Sequence, residues 1–167
     1  MQREMVGRIF GRGLVVGVVA LVLAVCGPAA PLYPEVAATI PPVATDRARI
    51  YFYREYEPYE SLSTPNLYLN GTRVGVSGPG MVFYRDVVPG TYTISTWTQG
   101  DFQNGSKTVV LRPGDTIYSK VESLGEWQSG GGDTNYERDT FIVMLIDPAR
   151  AQGELARMHY VQGDRTA

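Results

Sequence analysis

The sequence holds one cysteine and one histidine among 167 residues, and that scarcity excludes a good deal of chemistry. A single thiol closes no internal disulfide, forms no CxxC redox pair and builds no cysteine-rich metal site. The lone histidine, His159, thins the choice of general bases. A large excess of one charge sign is also missing. With 15 basic and 17 acidic residues the net charge is -2, too balanced for a nucleic-acid binder. No cofactor motif is present, so no cofactor is expected. Glycine (19), proline (11) and tyrosine (11) are plentiful, which favours frequent turns and strands over helices. The length fits one domain.

The amino end has the three parts of an export signal. Arg3, Arg8 and Arg12 face a single acid, Glu4, and an uncharged run follows from Leu14 to Val25. A permanent helical span needs about 20 apolar residues, so this run is short for one. Residues 1–25 are therefore expected to be a signal peptide. Leu23-Ala24-Val25-Cys26 resembles the bacterial lipobox, with Val25 larger than the residue usual before the cysteine. That resemblance implies a diacylglyceryl group on Cys26, which would become the first residue of the mature chain. Two acyl chains anchor stably where one does not. The alternative is cleavage between Ala29 and Ala38, leaving the protein soluble in the periplasm or secreted. From Cys26 to Asp46 the chain is rich in Pro and Ala and has no usable period. It reads as an extended tether of about 3.1 Å per residue, with the folded part running from 47 to 158 and a flexible tail over 159–167. Without residues 1–25 there remain 12 basic and 16 acidic residues.

The folded part shows short β-branched and aromatic runs broken at regular intervals by Gly, Pro and Asn-Gly. That spacing predicts an all-β sandwich of about seven strands with a short C-terminal helix. In "NLYLNGTRVGV" Asn70-Gly71 suits a two-residue type I′ turn. The resulting register opposes Leu69 to Thr72, Tyr68 to Arg73 and Leu67 to Val74, and turns Leu67, Leu69, Val74 and Val76 inward. Pro89-Gly90 and Pro113-Gly114 suit type II turns, which match hairpin twist poorly and so predict junctions between sheets. "TFIVMLI" is apolar on both faces and reads as a central, fully buried strand. "DPARAQGELARM" reads as a helix capped by Asp147 with Pro148 in its first turn, and with Ala151, Leu155 and Met158 on one stripe.

The order "RIYFYR", "LYLNGTRVG", "DVVPGTYTI", "LRPGDTIY" resembles a family of short bacterial lipoproteins carrying a domain of unknown function. More loosely it is similar to PEGA-type surface modules. The resemblance implies a sandwich of immunoglobulin or transthyretin type and brings no catalytic residues.

Candidate chemistry is sparse. Ser77 in "GVSGPG" approaches a nucleophile elbow, but Pro79 replaces the second glycine and no strand-to-helix turn follows. The glutamates Glu55, Glu57 and Glu60 read as a solvated strand end, and Asp133, Glu137 and Asp139 surround a glycine-rich loop without EF-hand spacing. The aromatics give a binding alternative. Tyr53, Tyr56, Tyr59, Trp127 and Tyr136 are candidates for stacking on a sugar ring or anchoring a partner. The expectation is a lipid-anchored, non-enzymatic sandwich in the bacterial cell envelope, facing the periplasm or the cell surface. It would meet the membrane through Cys26 and hold another envelope protein or a cell-wall polymer, with no role in binding nucleic acid. The alternative is an exported saccharide- or peptide-binding domain.

Overall fold

The computed structural model describes residues 29–57, 62–96, 105–129 and 135–163, with residues 125–129 and 135–139 described by their backbone pairing. Nine strands and two helices follow in the order α1 (Tyr33–Ala37), β1 (Ala48–Arg54), β2 (Asn66–Leu69), β3 (Thr72–Val76), β4 (Met81–Val87), β5 (Gly90–Thr96), β6 (Lys107–Leu111), β7 (Thr116–Ser129), β8 (Asn135–Ile146), α2 (Pro148–Leu155) and β9 (His159–Tyr160). They form a five-stranded sheet, β8-β7-β1-β4-β9, and a four-stranded sheet, β3-β2-β5-β6. The all-β sandwich is thus observed, with nine strands instead of about seven. Both Pro-Gly junctions join strands of different sheets, β4 to β5 and β6 to β7.

β1 is buried at all seven positions, and its alternation explains the layering. Ala48, Ile50 and Phe52 point toward the four-stranded sheet, where they join Leu67, Leu69, Val74, Phe83, Ile94, Leu111, Val121, Phe141 and Val143 in the main core. Tyr51 and Tyr53 point to the opposite face, where Val82, Tyr118, Ile146, Ala151, Leu155 and Met158 form a second core under α2. A strand has only two faces, so β1 is fully covered by a sheet on one side and by helices on the other. The central strand is therefore β1, and β8 lies at the edge. The two apolar faces of "TFIVMLI" arise because Phe141 and Val143 enter the main core while Ile146 enters the second.

Asn70 and Gly71 take φ of 49° and 79°, as a type I′ turn requires. The first two rungs fall as predicted, Leu69 with Thr72 and Tyr68 with Arg73, and then a bulge shifts Leu67 onto Gly75. A Cβ on Gly75 would lie 2.6 Å from Cζ of Phe83, so the bulge lets the Phe83 ring occupy space that any side chain at 75 would need. Gly114 has φ of 84°, and the Asp115 N–H donates to the Arg112 carbonyl at 3.1 Å, which fits the type II turn. Gly90 does not take a left-handed φ and instead opens β5.

Two boundaries differ from the sequence reading. Residues 159–160 are not a loose tail but pair in parallel with Met81 and Val82 of β4. Residues 29–46 are not an extended tether either. Here Leu32 bridges His159, the Tyr33 N–H donates to the Met158 carbonyl at 2.7 Å, and Pro41 offers its carbonyl to Arg49 Nη1 at 2.9 Å. Met158 and His159 lie far along the chain, so a local reading had no signal for them. The α2 capping holds as expected. The Asp147 carboxylate accepts from the Ala149 N–H at 2.9 Å, and Ala151, Leu155 and Met158 are buried.

Two glycines should respond with opposite signs. Gly75→Ala forces a methyl into the Phe83 ring and should cost about 1–3 kcal/mol, the range for overpacked cores. Gly153, inside α2, has open space at its Cβ position, so Gly153→Ala should add about 0.5–1 kcal/mol. Urea unfolding of both variants beside the parent reads these differences directly.

Candidate functional site

Among the described residues, a dense set of ionisable side chains lies on the helix-covered face of the five-stranded sheet. Alternation along β7 points Tyr118, Lys120 and Glu122 to that face, beside Tyr51 and Tyr53 of β1. The parallel pairing of β1 and β7 sets Tyr51 against Tyr118 and Tyr53 against Lys120. Helix α2 then lowers Arg150 and Glu154 onto the same patch, and Glu55 enters from the residue after β1.

Lys120 is the centre. Its ammonium donates to Glu55 Oε2 at 2.7 Å and lies 3.3 Å from Glu122 Oε1 and 3.8 Å from Glu154 Oε2. Glu55 and Glu154 have further support. Arg157 Nη2 reaches Glu55 Oε1 at 2.9 Å, Arg150 Nε reaches Glu154 Oε1 at 2.6 Å, and the Tyr53 hydroxyl donates to Glu154 Oε2 at 2.7 Å. Three cations and three carboxylates therefore balance. The Lys120 side chain is only 4% exposed. Burial works against its charge, but Glu55 by hydrogen bond and charge, then Glu122 and Glu154, outweigh that and hold its pKa above the ordinary lysine value. For Glu154 burial pushes upward, and the Tyr53 and Arg150 hydrogen bonds with the Lys120 charge overcome it and lower the pKa. Burial and then the bond to Glu154 raise the Tyr53 phenol well above its usual range.

Beside this cluster lies a tyrosine array. Tyr51 stacks on Tyr118 with centroids 5.3 Å apart, meets Tyr84 at 5.8 Å and receives the edge of Tyr33 at 5.9 Å. Arg49 lies 4.0 Å over the Tyr84 ring and makes a two-pronged bond to Asp86, at 2.6 and 2.8 Å. The Asp86 bond comes first among the causes that raise its pKa.

The sequence candidates fall out differently. Tyr53 is 2% exposed and spent on Glu154, so it is a core residue and offers no binding surface; alternation on β1 sends it under α2. Tyr56 is 65% exposed. Tyr59, Asp133 and Cys26 lie outside the described residues. Trp127 and Tyr136 sit in strands, not in a loop: Trp127 pairs with Glu137 and Tyr136 with Gln128, on adjacent rungs of a β7–β8 ribbon that continues past the end of β1. Glu55 is no solvated strand end but a partner of Lys120 and Arg157. Ser77 is buried between β3 and β4, with no helix following, and His159 belongs to β9, where its Nδ1 donates to the Ala30 carbonyl at 2.6 Å. Among the described residues no group of three His, Cys, Asp or Glu could hold a metal ion. The Lys120 cluster went unseen in the sequence because its members are spread from position 55 to 157. Lysine and glutamate recurring at alternate positions within an apolar strand, Lys120 and Glu122 in β7, was the one available signal.

Lys120→Met would strand Glu55 and Glu154 without their shared cation, and should destabilise the domain by about 3–5 kcal/mol, the range for breaking a buried pair. The pH dependence follows from the two shifts. Glu154 has a lowered folded pKa, so its contribution is present above the unfolded value of about 4.3 and lost as pH falls through the folded one. Lys120 has a raised pKa, so its contribution is present below about 10.4 and lost as pH climbs through the folded value. Urea midpoints measured from about pH 3 to pH 7 should therefore drop on the acid side, and Glu154→Gln should flatten that drop while lowering the plateau.

Compared with known families, residues 44–132 match the model described as protein of unknown function (DUF2846). The match covers more than half of the chain, and the chain belongs to this family. It spans β1 through β7 and stops before β8, α2 and β9. No curated protein and no solved structure matches the chain.

Proposed function

We propose that this member of the DUF2846 family is a lipid-anchored protein of the bacterial envelope whose sandwich serves as a non-enzymatic interaction or structural module. What supports the reading is how its ionisable groups are used. Lys120, Glu55, Glu122, Glu154, Tyr53, Arg150 and Arg157 all turn toward one another, and Arg49 turns toward Asp86. Charge is spent on fastening helix to sheet. The anchor rests on the basic flank, the apolar run and the lipobox-like Leu23–Cys26. Holding another envelope protein or a cell-wall polymer is the task such a module suits.

A second reading draws on the β7–β8 ribbon. Trp127 and Tyr136 occupy adjacent rungs beyond the end of β1, and strand alternation assigns them to opposite faces, so each face of the ribbon carries one aromatic position for a saccharide or peptide.

The anchor is tested by the intact mass of the membrane-extracted protein beside Cys26→Ser. A mature chain beginning at Cys26 with added diacylglyceryl mass, absent from the variant, is the expected result. An unmodified chain starting between Ala30 and Thr39 would overturn it. For the second reading, Trp127→Ala and Tyr136→Ala should weaken binding of soluble peptidoglycan fragments in calorimetry, while Cys26→Ser leaves it intact.

A further inference from the structure

The segment after Cys26 was expected to stand the domain off the membrane. Twenty residues of extended linker would allow about 60 Å of reach. Most of that length is instead fastened to the sandwich. The Ala30 carbonyl accepts from His159 Nδ1 at 2.6 Å and the Pro31 carbonyl from the Tyr160 N–H at 2.8 Å. The Tyr33 N–H donates to the Met158 carbonyl at 2.7 Å, and its hydroxyl donates to Tyr51 at 3.3 Å. The Leu32 N–H is held by Glu35 Oε2 at 3.1 Å. Backbone, side chain and ring contacts thus all fix residues 30–33 beside β9.

From this we infer that the β9 edge of the five-stranded sheet, with its docked strap Ala30–Tyr33, is the membrane-facing side of the domain, held against the lipid surface. The inference rests on lipidation at Cys26. Only four residue steps separate Cys26 from Ala30, at most about 14 Å of chain. That span is shorter than the sheet is wide, since β8 lies four strand spacings from β9, or about 19 Å. A leash shorter than the body it holds restrains orientation as well as distance. The β9 edge stays near the headgroups, and β8 with the β7–β8 ribbon is turned away and left open to a partner.

The lipidated full-length protein, its mass verified, is placed in phosphatidylcholine–phosphatidylglycerol vesicles carrying a fraction of headgroup-nitroxide lipid. One fluorophore is attached either at Leu32→Cys on the strap or at Leu145→Cys on β8. Both side chains are exposed, and Cys26 is blocked by its thioether. The strap label should be quenched about threefold more than the β8 label, because nitroxide quenching fades over a distance comparable with the sheet width of about 19 Å. A flexible Gly/Ser insert of about ten residues between Pro28 and Ala29 should erase the difference by restoring free reach. Equal quenching without the insert, on protein whose mass shows the lipid, would overturn the orientation and leave the anchor standing. A mass without diacylglyceryl would overturn both.

Discussion

A strand buried along its whole length and on both faces must be covered twice, and β1 imposes that condition on everything around it. One covering is the four-stranded sheet, whose inward residues interlock with Ile50 and Phe52. The other is helical, because Tyr51 and Tyr53 carry hydroxyls that need partners once buried. Tyr53 finds Glu154 on α2, and Tyr51 receives the hydroxyl of Tyr33 on α1. The two helices thus bring a carboxylate and a phenol to the polar ends of two tyrosines on one strand.

Glu154 in turn needs positive charge, and burying any charge is costly unless it is paired and hydrogen-bonded. Lys120 answers it from β7 while also holding Glu55, which is why the cluster ends in a balanced set of three cations and three acids. The parallel pairing of β1 with β7 is what brings Tyr53 and Lys120 side by side. An antiparallel neighbour joined by a short hairpin would have drawn its residues from nearby in the chain. Here the pairing reaches across more than sixty positions, and the family match begins just before β1 and ends just after β7. The matched region thus holds both strands of the junction but not the helix that completes its charge balance.

Local features were legible in the sequence, and distant ones were not. The Asn70-Gly71 turn, the Asp147 cap and the sheet-changing Pro-Gly junctions depend on a few consecutive residues whose backbone preferences are strong. The bulge at Gly75 escaped because it depends on where Phe83 puts its ring. The edge position of β8 escaped because a two-faced apolar strand looks the same whether a strand or only a helix and a core flank it. Tyr53 and Glu55 were misread for one reason: a tyrosine or glutamate at a strand end is usually wet, and here α2 arrives from a hundred residues away to cover it. The strap at 30–33 was read as linker because proline and alanine show no period, although Tyr33 was a residue with a ring to bury.

The strap also bears on the order in which the molecule can be assembled. Its partners are Tyr51 and residues 158–160, so residues 30–33 have nowhere complete to settle until residues more than 120 positions later have been made. During synthesis the strap stays undocked while the strands behind it form. Any chain cut short before Met158 would keep that strap free. Docking of the strap is therefore a property only of chains that have reached Tyr160.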